Sequence, residues 1–261
     1  VLFRSAKEVH AVEVNPWINK MLIEGDPAGY VSTFVDSLDS ALVDLPEYTS
    51  KLYRDPRVIV ATEDARAYVR RFENKFDIIY SLSSNTFSAL ASGSFAMAEN
   101  YLFTTEAFGN YWNALSDSGF MMMEHQFYMP RLVSEVKTAL MKAGVENPKQ
   151  HFAIYNLPKM RRKALLLSKK PLTDEILTTA LTDLSPQTFQ FIHLLYPPAD
   201  SLENNPINLI VENGWEAVAD SFAYDISPNT DNRPFAAQMG MWKNLKLKGV
   251  EKLLPYEFYG F

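Results

Sequence analysis

The chain has 261 residues, 47% of them hydrophobic and 21% charged, with a formal net charge of -6. That balance suits one large globular domain, or one domain with an appendage, and the acidic surplus argues against a nucleic-acid partner. The absence of cysteine excludes disulfides, thiolate nucleophiles and cysteine metal sites.

No apolar run approaches the roughly 18 residues of a membrane span. The chain opens Val1-Leu2-Phe3-Arg4-Ser5, without Met. That start reads as an artefactual leader on a protein cut near Ala6, so upstream elements, including a first strand and a glycine-rich loop, are expected in the intact protein. Lys7, Glu8 and His10 interrupt the apolar start, which does not read as a signal peptide.

Val9 to Val14 reads as a buried strand that Asn15-Pro16 breaks, and Trp17 to Ile23 has helical spacing. Arg57 to Thr62 is a second strand, followed by a helix that Asp64 caps. Phe76 to Leu82 is a third strand, Thr104 to Leu115 a helix, Gly119 to Glu124 a fourth strand and Arg131 to Ala143 a helix. His151 to Tyr155 and Lys163 to Ser168 form an expected antiparallel pair at one edge. Residues 173–219 read as mostly helical, broken by prolines, and Ser227 to Phe235 is turn-rich.

Strands alternating with helices predict an α/β fold, Rossmann-like and doubly wound. Its sheet is expected to be mostly parallel, with an antiparallel edge and a helical C-terminal extension. The expected domains are a cofactor-binding domain over 1–170 and a helical extension over 171–261.

In such a sheet, ligands bind beyond the carboxyl ends of the strands. Glu13, followed by Val14, ends the first strand, where a carboxylate would accept from both ribose hydroxyls. Glu63-Asp64-Ala65 follow the second, where Asp64 would face an adenine amino group beside the Ala65 N–H. Each acid also has a plainer reading: Glu13 as an exposed strand-end acid, Asp64 as a helix cap.

Five segments in order carry a resemblance. They are Ala11 to Pro16, Asp55 to Val58, Glu63 to Arg66, Phe76 to Ile79 and Glu99 to Phe108. Together with Tyr224 to Pro228 and Thr230 to Phe235, they resemble the spermidine-synthase-like family and its class I methyltransferase relatives. The ending is similar to that of a bacterial branch fused to membrane helices.

The resemblance implies a Rossmann-like fold binding S-adenosylmethionine or its decarboxylated form. Glu13 with Val14 would hold the ribose, Glu63, Asp64 and Ala65 the adenine side, and Ser81 and Leu82 the next strand end. The family's catalytic acids after that strand correspond here to Leu82 and Asn85. Leucine cannot accept a proton or hold an ammonium group, so aminopropyl transfer to putrescine is not assured by the resemblance.

The remaining polar candidates for catalysis are Glu99, Tyr101 and Asn85. Glu99 would hold a cation or act as base, and Tyr101 would donate a hydrogen bond. A helix-start motif is the alternative for Glu99 to Tyr101. His125 follows a strand, while His10, His151 and His193 are scattered and show no metal-ligand spacing, so no metal is expected. Ser83-Ser84 lacks a nucleophile-elbow context. Asp231 to Phe235 reads as an internal Asp–Arg clamp, and Lys159 to Lys163 as a solvated hairpin.

The reading is a transferase moving a methyl or aminopropyl group to a small amine or other small nucleophile. A non-catalytic cofactor-sensing or scaffold domain is the second reading and a nicotinamide-dependent oxidoreductase the third. The expected setting is cytoplasmic, with membrane helices elsewhere in the full-length protein tethering it to the inner membrane, and a homodimer as the assembly.

Overall fold

The computed structural model describes residues 5–25, 45–81, 100–125, 129–157, 162–177, 192–198 and 205–234. It divides into two compact units, residues 1–71 and 72–261.

In the first unit, β1 (Val9–Val12) and β2 (Val58–Ala61) pair in parallel, with Val9 opposite Val58 and Val12 opposite Ala61. Helix α1 (Pro16–Glu24) starts where the sequence demands. The Asn15 side chain accepts from the Trp17 N–H, and Pro16, which has no N–H to lose, occupies the first turn. Gly25 ends it at φ 89°, a left-handed value suited to glycine. Helix α2 (Ala65–Val69) is capped by Asp64, whose Oδ1 accepts from the Ala67 N–H at 2.7 Å.

The second unit holds a five-stranded sheet in the order β3-β4-β6-β5-β7. Its strands are β3 (Phe76–Ser81), β4 (Leu115–His125), β5 (Phe152–Leu157), β6 (Arg162–Ser168) and β7 (His193–Tyr196). β3 and β4 are parallel, and the other three pairings are antiparallel. Helices α3 (Thr105–Ala114), α4 (Met129–Lys142) and α5 (Pro206–Asn213) complete it.

The core is drawn from these elements: Phe103, Phe108, Leu115, Met121, Phe152, Ile154, Leu165 and Ile210 are all essentially fully buried. Lys137 of α4 donates to the carbonyls of Ile210 and Val211 in the last turn of α5, where the Ile210 carbonyl also accepts from the Gly214 N–H. Glycine is required at 119, because a Cβ there would lie 2.6 Å from the Phe76 carbonyl oxygen. The close approach falls where the β3–β4 register shifts.

The fold is α/β with a mixed sheet, as the strand–helix alternation predicts. Parallel pairing comes first in the chain, and the antiparallel part is three pairings wide rather than one. The expectation of a mostly helical 173–219 is corrected at His193–Tyr196, which adds to β5 as β7. A short apolar run does not distinguish a strand from a helical turn by periodicity, and Pro197 stops it after four residues. The helical expectation holds at Pro206–Asn213 and Trp215–Val218.

The basic run is also not simply solvated. Arg162 pairs with the buried Glu124 at 3.0 Å, and burial lowers the pKa of Lys163. Among the described residues, no helix is long and apolar enough to cross a membrane.

Candidate functional site

Parallel pairing puts the carboxyl ends of β1 and β2 side by side. The Glu13 N–H donates to the Ala61 carbonyl at 3.0 Å, and the Glu63 N–H donates to the Glu13 carbonyl at 3.3 Å. The residues that follow the two strands therefore share one corner.

The Glu13 carboxylate lies at its edge, with Oε1 accepting from the Asn15 N–H at 2.8 Å. Val14 is 66% exposed. Glu63 pairs with Arg71 at 2.8 Å, and Asp64 Oδ1 serves as the α2 cap beside Ala65. The plainer reading of Asp64 is thus present in the structure, with Oδ2 left for another role.

A residue that sequence reasoning missed holds this corner together. Asn19, on α1, is 5% exposed. Its Nδ2 donates to Thr62 Oγ1 at 2.9 Å and to the Glu13 carbonyl at 3.2 Å, and it approaches the Ala61 carbonyl at 3.4 Å. One amide thus spans both strand ends. The signal available beforehand was an asparagine on the inner face of an otherwise amphipathic helix.

In the second unit, β3 ends at Ser81, whose register partner in β4 is Met123. Beside it, Glu124 accepts from Arg162 and, at 3.5 Å, from the Tyr80 hydroxyl. Burial, and then the Glu124 charge, raise the Tyr80 pKa. This cross-strand group is a second feature that the sequence did not announce. Tyr101 is 45% exposed. Leu82, Asn85 and Glu99, with Ser83 and Ser84, lie outside the described residues.

Two of the histidines, His10 and His151, have structural partners. His10 lies between Tyr68 and Glu8, and His151 Nδ1 lies 2.9 Å from the Ser168 carbonyl. No group of three or more potential metal ligands occurs among the described residues.

An α/β chain with neighbouring acids at the carboxyl ends of parallel strands falls in the class whose ligands sit beyond those ends. Within that class, the chain belongs to the spermine/spermidine synthase domain family, whose profile matches residues 10–175. The resemblance read from the sequence segments is therefore borne out.

It is 34% identical over 122 residues to the polyamine aminopropyltransferase of Alkaliphilus oremlandii (strain OhILAs), covering 45% of this chain and 38% of that protein. It is 35% identical over 94 residues to the polyamine aminopropyltransferase of Clostridium perfringens (strain 13 / Type A), covering 34% of this chain and 30% of that one. The matches thus span well under half the length of these relatives. A spermidine synthase structure from Thermotoga maritima aligns at 15% identity with a TM-score of 0.43, covering 78% of this chain and 61% of that one.

Proposed function

We propose that this chain carries the donor-binding corner and the acceptor-facing segment of an aminopropyltransferase-like enzyme. It would use decarboxylated S-adenosylmethionine, or S-adenosylmethionine itself, and a small amine as acceptor. The observation that carries the reading is the shared corner of Glu13 and Glu63-Asp64, fixed by Asn19.

That corner fits a nucleoside. Glu13 Oε1 is engaged by a backbone N–H, which leaves Oε2 to accept from ribose hydroxyls. Asp64 keeps Oδ2 for an adenine amino group while Oδ1 caps α2, and the Ala65 N–H lies next to it in sequence.

When bound, the sulfonium supplies an electrophilic carbon: an N–C bond to the amine forms as the C–S bond breaks, and the electron pair goes to sulfur. The chain's own task is to position an uncharged amine in line and to exclude water. In this reading Glu99 takes the proton that the amine must lose, and Tyr101 and Asn85 orient it. Leu82, where the family carries an acid, shifts the burden of amine recognition to Glu99 and Tyr101. The cofactor-binding domain would run to about residue 170, with 171–261 appended.

Calorimetric titration of both donors into the full chain and into Glu13→Ala tests the proposal. Binding of one donor, weakened at least tenfold in the variant, is the expected result. The preferred donor then separates aminopropyl from methyl transfer. No binding of either donor by a folded chain removes the transferase reading.

A further inference from the structure

Residues 225–234 belong to no helix or sheet, yet they make a set of long-range polar contacts to α3 and α4. They grip the segment that leads into α3 at four points. The Pro234 carbonyl accepts from the Asn100 N–H at 2.7 Å. Asp231 Oδ1 accepts from the Thr104 hydroxyl at 2.7 Å. The Asn229 carbonyl accepts from both the N–H and the hydroxyl of Thr105, at 2.9 and 3.0 Å. Glu106 Oε2 accepts from the Asp231 N–H at 3.0 Å. Thr104 is shared, since its Oγ1 also caps α3 by accepting from the Ala107 N–H at 3.1 Å.

The far side of this strap is fastened to α4. Glu135 Oε1 accepts from the N–H and the side-chain amide of Asn229, at 3.2 and 2.8 Å. Glu135 and Asn229 are 2% and 1% exposed. Arg131, just past the carboxyl end of β4 and equally buried, donates to the Asp225 carbonyl through Nε and Nη2. Arg233 closes the turn on Asp225 and Ser227. Most buried polar groups are partnered, and here Asn229 Nδ2 is held by Glu135 while its Oδ1 is buried without a partner, so this network specifies where the strap lies rather than adding apolar stability.

The gripped segment, 100–106, includes Tyr101, exposed and next to the Asn100 anchor. We propose that residues 225–234 form a positioning strap that fixes the acceptor-facing segment, with Asp231 and Asn229 as positioning residues. The inference rests on the transferase reading given above. The bonds that fasten the strap to α3 and α4 lie within the second unit and the proposed donor corner within the first, so strap variants and donor-site variants should have separable effects.

The test compares Asp231→Ala and Asn229→Ala with the parent full chain. Donor affinity is measured by calorimetry, KM and kcat with putrescine as the acceptor, and amide hydrogen exchange at Asn100 and Thr105. Asp231→Ala removes the side-chain acceptor for Thr104 and keeps the buried Glu135–Asn229 latch, so it folds even if Asn229→Ala does not.

The expected result is a KM for amine raised about tenfold, equivalent to one hydrogen-bond-scale loss. Donor affinity should change by less than about twofold, and exchange at both amides should be faster. Glu135→Gln, which keeps the side-chain carbonyl acceptor for Asn229, should follow the parent. Unchanged amine KM, or equal losses for amine and donor, overturns the strap proposal while leaving donor binding in place. Loss of donor binding in the parent chain itself overturns the transferase reading and the strap's acceptor role with it.

Discussion

The two compact units are held together in different ways. Among the described residues of the first unit, Tyr68 is the one large hydrophobic side chain that is buried, while Trp17, Ile18, Tyr48 and Ile59 are exposed. Its strands and helices are joined mainly by backbone pairing, caps and the Asn19 amide. The second unit buries Phe103, Phe108, Phe152 and a continuous set of aliphatic residues between sheet and helices. Net hydrogen bonds contribute about 1 kcal/mol each, whereas a buried large side chain contributes several times that. By this measure the described part of the first unit, with the Glu13 and Asp64 corner, is the more weakly held, and the second unit is the better packed.

Core truncation should expose the contrast most strongly. Phe108→Ala should cost the second unit about 3–5 kcal/mol in denaturant unfolding, against less than about 1 kcal/mol for Ile59→Ala in the first. Similar losses at the two sites would erase the distinction.

A pH series sharpens it next. Burial pushes the Glu135 carboxyl up to about 8, against the opposing pull of Arg131 and of the Asn229 hydrogen bonds. Between an unfolded value near 4.5 and that folded value, the folded chain holds a proton that the unfolded chain has released. Stability of the second unit should therefore fall as pH rises through this window, by up to about 1.4 kcal/mol per pH unit. Glu135→Gln should flatten that slope, and an unchanged slope would place the titration elsewhere.

A more local effect is expected at Asn19→Ala. It removes the donor shared by the Glu13 carbonyl and Thr62 Oγ1 and should cost about 1–2 kcal/mol. The loss should be local, read as faster hydrogen exchange at the Glu13 and Glu63 amides, with exchange in β4 and β6 unaltered. A global rise in exchange would show that the two units are not independent in stability.

Much of the fold was legible because its signals are local. Asn15-Pro16, Asp64 and Thr104 each mark a helix start by chemistry that acts within three residues, and the structure places caps at all three. The apolar runs of β1 to β6 stand between breakers long enough to be read. β7 was not legible, because four apolar residues before a proline fit either a strand or a helical turn, and pairing with β5 decides the matter.

The corner of Glu13 and Asp64 was legible as two separate strand-end acids. Their adjacency depends on parallel register, and Asn19 could not be assigned to it without knowing which face of α1 is covered. The Glu135–Asn229 pair was hidden for the same reason at greater range: 94 residues separate the partners. For the Asp231 turn, Arg233 pairs with Asp225, outside the Asp231–Phe235 stretch expected to hold the clamp, and the turn's reach to Thr104 and Thr105 had no local sign.

That reach also fixes an order in time. The contacts between Asn229 or Asp231 and the start of α3 close loops of 124 and 127 residues, and long-range closures come late because their entropy must be met before the contact forms. A ribosome making this chain releases Phe103 and α3 long before it has translated Asn229. For that interval, the newborn protein has its core residues and its donor corner but lacks the fastening that orders residues 100–106. The ordering of residues 100–106 by this fastening therefore waits until Asn229 and Asp231 have been made.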